Sequence, residues 1–355
     1  MAGGRNDARR RGPLTLEDVA HRAEVSAGTV SRALSQQGRV SPATRARILR
    51  LVEKMGYRPN VHAQTLAGGR SRTLGMIVSN LANPFFLDIF DALEAEARRH
   101  GLEVMVANTD YRPQRLAAAL EAMLARRIAG LAVIVSEMDP AATALVTDAG
   151  VPVALYDASA TGENLMCVRT DYGKGMRRMV EFLFSVGHRR LAFVGHHPRL
   201  EPLHDRRHAF VQAMKAHSPH AESVITAGHD SPAGGYQATR QVLASGFRPS
   251  AVVCVNDFMA LGAIKAVRDS GLDVPGDVSV TGYDDISLAA FAQPALTTVH
   301  VPRTRIAHLI YQALTARPEG TSVGDRDIII EPELLLRDST APAASTPFER
   351  HVRSA

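Results

Sequence analysis

Tryptophan is missing from this chain and only two cysteines occur in its 355 residues. Cys167 and Cys254 cannot build a disulfide framework, and neither has partners at zinc-finger spacing. Both sit in apolar runs and read as buried, reduced thiols. No stretch approaches the ~18 consecutive apolar residues of a membrane-spanning helix. Residues 1–13 are basic and glycine-rich, with no apolar run behind them, so they do not read as a secretory signal, and a cytoplasmic protein is expected. The motifs GxxxxGK[ST], GxSxG and HExxH are absent, so neither an enzyme nor a cofactor is expected. His204 and His208 stand four apart and could share a helix face, but two ligands without a third make no metal site.

Charge is unevenly spread. Residues 1–70 hold 13 Lys and Arg against 5 Asp and Glu, whereas residues 71–355 hold 28 against 31. A basic segment on a nearly neutral body is the electrostatic signature of a nucleic-acid binder.

That basic segment also has a helical texture. After a disordered arm, 1–13, Thr15 stands three residues before Asp18, close to a capping box. Leu16, Val19, Ala20 and Ala23 then follow helical spacing. Ser26 opens a second helix with Val30, Ala33 and Leu34 inward. Ser41-Pro42 opens a third, with Ile48, Leu51, Val52 and Met55 inward and Arg45, Arg47, Arg50 and Lys54 outward; Gly56 ends it. Three short helices with a tight turn between the first two describe a helix-turn-helix unit over 14–58. In the connector, 59–71, Asn60 can cap a helix too short to be stable alone.

From Thr73 the pattern alternates strand and helix. Strands are expected at 73–79, 102–108, 130–135, 152–156, 190–195, 251–255 and 278–282, with helices such as 112–126 and 257–270 between them. Continuous apolar runs of this kind suit parallel strands buried on both faces. The expected fold is therefore an all-α headpiece followed by a two-lobed α/β domain, 72–340, built on two doubly wound parallel sheets. The split falls near residue 169: one lobe at about 72–168 and 300–331, the other at about 169–298 and 332–340. Residues 341–355 read as a loose tail.

Thr15-Leu16-Glu17-Asp18-Val19-Ala20, Val25-Ser26, Thr29-Val30-Ser31-Arg32-Ala33-Leu34, Val40-Ser41-Pro42-Ala43-Thr44-Arg45 and Gly56-Tyr57-Arg58-Pro59-Asn60 closely resemble the headpiece of the LacI/GalR repressors. Val255-Asn256-Asp257-Phe258-Met259-Ala260-Leu261-Gly262, Val280-Thr281-Gly282-Tyr283-Asp284-Asp285 and Pro294-Ala295-Leu296-Thr297-Thr298-Val299 resemble that family's effector domain, which is like periplasmic binding proteins. The resemblance runs from about 14 to 340. It implies a transcriptional regulator, most simply a repressor, that binds double-stranded operator DNA as a homodimer.

By the same resemblance the second helix enters the major groove, with Ala27, Gly28 and Arg32 at the base-reading positions. Arg32 can bond a guanine bidentately. Thr15, Ser26, Thr29, Ser31 and Thr44 fall at phosphate contacts. Asn60, Ala63 and Leu66 fall in the hinge, where the leucine wedges into the minor groove. An effector in the cleft then shifts the DNA-binding equilibrium through its differential affinity for two states.

For that effector, Asn83-Pro84-Phe85-Phe86 resembles the first binding loop of ribose-binding proteins. Phe85 and Phe86 can sandwich a sugar ring, while Ser79 and Asn83 bond its hydroxyls. Asp157, Asn256 and Asp284 each end an apolar strand, where ligands of open α/β sheets bind. Arg206 lies at the family's cleft arginine. The family's glutamine after Leu296-Thr297-Thr298 is Val301 here, beside His300. A sugar-binding transport protein would share the two lobes but lack residues 14–70.

Overall fold

The computed structural model describes residues 14–34, 40–57, 71–158, 160–196, 201–217, 221–315 and 327–343. Two compact units divide between Ser71 and Arg72. Expected features on 1–13, on Asn60, Ala63 and Leu66, and on 344–355 lie outside the described residues.

The first unit is three helices: α1 (Leu16–Ala23), α2 (Ala27–Leu34) and α3 (Pro42–Met55). The capping box forms at α1. Thr15 Oγ1 accepts from the Asp18 amide at 3.2 Å, and Asp18 Oδ2 accepts from the Thr15 amide at 2.8 Å. Ser41 caps α3 by accepting from the Thr44 amide, Pro42 stands in its first turn, and Gly56 closes it at φ 65°. Val19, Ala20, Ala23, Val30, Ala33, Ile48 and Tyr57 form the buried core. Arg47 reaches back to the Ala23 carbonyl at 2.9 Å and ties α3 to the end of α1. Arg45, expected outward, is half-buried.

The second unit carries two parallel sheets. β1 (Thr73–Val78), β2 (Glu103–Asn108), β3 (Gly130–Ile134), β4 (Val153–Tyr156), β5 (Leu165–Thr170) and β11 (Asp327–Ile330) form the first, in the order β11-β5-β4-β3-β1-β2. β6 (Arg190–His196), β7 (Glu222–Gly228), β8 (Ala251–Cys254) and β9 (Ser279–Thr281) form the second, in the order β7-β6-β8-β9. Each order reverses direction beside its first strand, so crevices open between β1 and β3 and between β6 and β8. A two-stranded antiparallel ribbon, β10 (Thr298–His300) with β12 (Glu333–Leu335), lies outside both sheets.

The helices follow the strands. α4 (Pro84–Arg99), α5 (Pro113–Ala125), α6 (Pro140–Thr147) and α11 (Arg303–Thr315) belong to the first lobe. α7 (Tyr172–Ser185), α8 (Glu201–His217), α9 (Pro232–Ala244) and α10 (Asp257–Asp269) belong to the second. β1, β3, β4 and β8 are buried almost throughout, as unbroken apolar runs dictate. β2 and β7 are edge strands with partly exposed residues. β7 reads Glu-Ser-Val-Ile-Thr-Ala-Gly, mixed rather than apolar, and the apolar-run criterion passed over it.

Of the loose tail expected from Ala341, residues 341–343 are described, and they are bonded. The Ala341 amide donates to Ser279 Oγ at 3.1 Å, and the Ala343 amide donates to the Val186 carbonyl at 2.9 Å. One bond goes to a side-chain hydroxyl of β9 and the other to the carbonyl that follows α7, so residues 341–343 are held rather than loose.

Candidate functional site

A cavity in the second unit encloses about 430 Å3 of space between atoms, its mouth included. It is lined from both lobes by Asn83, Phe85, Phe86, Tyr111, Tyr156 and Asp157, and by Tyr172, His196, Arg206, Asn256 and Asp284. These residues follow the carboxyl ends of β1, β2, β4, β5, β6, β8 and β9, or start the helix after them, so the alternating strand order alone brings them together. Seven of the eight residues singled out from the sequence line the cavity. Ser79 does not: it is fully buried, and its hydroxyl donates to Glu137 Oε2 at 2.6 Å.

Arg206 is the centre of one end. Its Nη1 donates to the Val255 carbonyl at 2.8 Å and its Nη2 lies 3.1 Å from Asp284 Oδ1. The guanidinium packs against the rings of both Tyr172 and Tyr283, at 4.1 and 4.6 Å from their centroids. Gly175 makes room for Tyr283, because a Cβ there would come 2.2 Å from its hydroxyl. Asp284 is buried, which pushes its carboxyl up to about 6 even though Arg206 and Arg303 pull the other way. Asp157 is pushed up to about 7 by burial, although Tyr172 OH and the Thr170 amide donate to it. Asp157 and Asp284 also have left-handed backbones, φ 56° and 104°. Such conformations cost roughly 1–3 kcal/mol each and cluster where function over-determines the geometry.

Aromatic faces form the rest of the wall. Phe85 meets Phe86 edge-on at 5.4 Å and the Tyr156 ring at 5.9 Å. Buried polar atoms here remain without hydrogen-bond partners: Arg206 Nε and Tyr283 OH. Each such group costs about 1–3 kcal/mol unless something arrives to bond it. Apolar ring faces, fixed acceptors and unspent donors fit a small molecule carrying both apolar and hydroxyl faces. Val301 is fully buried and His300 turns away to Asp285, with Nδ1 2.8 Å from Oδ2.

Tyr111, Tyr156, Tyr172 and His196 were not singled out from the sequence. The same strand-end rule that found Asp157 reaches Tyr156, the last residue of β4, His196, the last of β6, and Tyr111, in the turn after β2.

The headpiece positions are built on its second helix. Gly28 and Arg32 are exposed and Ala27 half-buried at its outer start. Arg32 Nη2 lies 3.4 Å from Thr29 Oγ1, so its side chain folds along the helix. Ser26 Oγ accepts from the Thr29 amide at 3.2 Å and contacts Thr29 Oγ1 at 2.9 Å. Ser41 and Thr44 repeat this pairing at 2.8 Å. Ser31 is half-buried. The Thr15 and Ser26 hydroxyls thus serve as caps, the Thr44 hydroxyl pairs with the capping Ser41, and each hydroxyl keeps further bonding capacity for an outside partner.

Residues 15–60 match the family described as bacterial regulatory proteins, lacI family, and residues 180–340 match a periplasmic binding protein-like domain. The HTH-type transcriptional repressor PurR of Histophilus somni (strain 129Pt) is 30% identical over 327 residues, 92% of this chain and 98% of its own. The chain belongs to the LacI family. This LacI-family chain is equally similar to the HTH-type transcriptional repressor CytR of Escherichia coli (strain K12), at 30% over 92% of this chain and 96% of that one. Among solved structures it superposes on the lac repressor dimer bound to operator and the anti-inducer ONPF with TM-score 0.79 and 29% identity, covering 93% of this chain and 100% of that one. It is a DNA-binding transcriptional regulator. No helix among the described residues is long and apolar enough to cross a membrane.

Proposed function

We propose that this regulator is a cytoplasmic repressor that grips a near-palindromic operator as a homodimer and changes its grip when a small sugar-like molecule enters the cleft. Arg32 reads a guanine in each half-site. Ala27 and Gly28 let the start of α2 approach the bases closely. Thr15, Ser26, Thr29, Ser31 and Thr44 bond phosphates. Asn60, Ala63 and Leu66 form the hinge in the minor groove. Phe85, Phe86, Asp157, Arg206 and Asp284 hold the effector, and neither metal nor cofactor is needed.

The observation that carries this reading is the cavity at the strand ends, where buried donors without partners stand among aromatic faces. Such a pocket suits a sugar or sugar derivative, whose ring presents a flat apolar face and a rim of hydroxyls.

The test has two arms. In fluorescence anisotropy on duplexes from the gene's own promoter region, the intact protein prefers one site over random duplex. Arg32→Ala weakens that binding by ~1–3 kcal/mol and relaxes preference at one base pair per half-site. In a thermal-shift screen of sugars, sugar acids and polyols, an effector at 100 times its Kd stabilises the protein by ~2.7 kcal/mol. An intact protein with no preference for any duplex overturns the reading.

A further inference from the structure

Asp230 follows β7 and stands immediately before Ser231, the N-cap of α9. Its carboxylate is fully buried, yet it lies against polar groups from both lobes. From the first lobe, Asn80 Nδ2 donates to Oδ2 at 2.9 Å, Asn83 Nδ2 at 3.2 Å and Tyr111 OH at 2.5 Å. Asn80 Nδ2 also reaches the Asp230 carbonyl at 2.9 Å. From the second lobe, Asn256 Nδ2 donates to Oδ1 at 2.9 Å, and His196 Nε2 lies 3.3 Å away.

We infer that Asp230 is an internal ligand of the cleft, a carboxylate that clasps the two lobes together. This deepens the proposed function and rests on its cleft. Three observations carry it. First, the donors come from separate elements: the turn after β1, the turn after β2, and the start of α10. Asn80 and Tyr111 reach Asp230 across the cleft, and the Tyr111 ring also meets His196 there at 5.4 Å. Second, Asn83 and Asn256 each spend their Oδ1 on a helix cap, accepting from the Phe85 and Met259 amides at 3.1 and 2.9 Å. Capping fixes each side chain so that its NH2 faces Asp230, across the cleft for Asn83 and within the second lobe for Asn256. Third, α4, α9 and α10 all begin beside this carboxylate, and helix N-termini favour negative charge. Burial raises the Asp230 carboxyl, but His196, Tyr111 and Asn256 outweigh that and hold it well below the usual carboxylate range.

The clasp has a consequence for the effector. Asn83 and Asn256 were assigned from the sequence to ligand hydroxyls. Both amide NH2 groups already donate to Asp230, so the two asparagines are positioning residues of the clasp. The effector is left the other end, where Phe85, Phe86, Asp157, Arg206 and Asp284 converge. A ligand that presents its own acceptor to the asparagines competes with Asp230, and one that does not adds to the clasp.

Hydrogen–deuterium exchange of the full chain, without DNA or effector, tests the inference. In Asp230→Ala, segments 79–83 and 108–112 exchange at least about tenfold faster, although they belong to the opposite lobe and their own sequence is unchanged. Asp230→Asn, which keeps the shape but can no longer take all these donors, shows the same change in smaller degree and guards against misfolding of the alanine variant. Formate, a free carboxylate small enough for the vacated position, restores protection to Asp230→Ala, whereas chloride at equal ionic strength does not. Unchanged exchange in 79–83 and 108–112 in both variants overturns the clasp, as does faster exchange confined to 229–232. Neither of these results touches the operator assay, so failure of the clasp and failure of the regulator reading are told apart.

Discussion

Replacing Arg206 by methionine gives a loss of stability whose size depends on pH in a calculable way. The side chain is buried, and so is Asp284, its partner at 3.1 Å. Methionine fills similar space but leaves the Asp284 carboxylate without its paired cation, since Arg303 bonds only the Asp284 carbonyl. At pH 8 the wild-type carboxyl, pushed up to about 6, is ionised and paired. Breaking a buried pair from one side costs about 3–5 kcal/mol, because the remaining charge is uncompensated. At pH 5 the same carboxyl is already mostly protonated in the folded wild type. The loss there reduces to one hydrogen bond to Val255 and the ring contacts, about 1–2 kcal/mol. Arg206→Met is therefore markedly more destabilising at pH 8 than at pH 5. The double variant Arg206→Met/Asp284→Asn removes the charge as well and recovers much of the loss at pH 8, while gaining little at pH 5. Urea unfolding at the two pH values measures each difference from the midpoint and slope. Equal losses at both pH values, or no recovery in the double variant, refute the electrostatic account of this end of the cleft.

Asp157→Asn reports on the second raised carboxyl. In the unfolded chain this group loses its proton near its ordinary value, whereas in the folded protein it keeps it to about 7. The folded state then binds more protons between those values, so wild-type stability falls as pH rises from about 4 to 7. The asparagine variant lacks that contribution, so its stability relative to wild type rises across the window, as thermal unfolding at pH 5 and pH 8 would show. In the headpiece, Thr15→Ala removes the hydroxyl half of the capping box, which accepts from the Asp18 amide, and costs about 1 kcal/mol of helix stability, visible as a lower headpiece transition in circular dichroism. Thr15→Ser keeps most of it.

Much of this was legible in the sequence because local physics dictated it. Thr15 with Asp18, Ser41 with Pro42, and Gly56 at a helix end announce caps through side-chain and backbone chemistry that needs no tertiary context. Apolar runs such as those of β1, β3 and β8 announce buried parallel strands, because a strand covered on both faces tolerates little else. A residue just after such a run lies at the sheet's carboxyl edge, so Asp157, Asn256 and Asp284 could be placed at a cleft before any contact was known.

Other features were decided only by folding. β5, β7 and the ribbon of β10 with β12 pair residues far apart in sequence, and β7 keeps polar residues because one of its sides has no strand neighbour. Asp230 could not be recognised without β7, and nothing local joins it to Asn80, 150 positions earlier, or to Tyr111. Ser79 ends an apolar strand like the cleft residues, yet it turns to Glu137, a buried carboxylate that no local signal announces. Sequence determines which backbone groups are satisfied locally and which faces are apolar. Which buried polar side chains find one another depends on how the two sheets close upon each other, since desolvation penalises every polar group left inside without a partner.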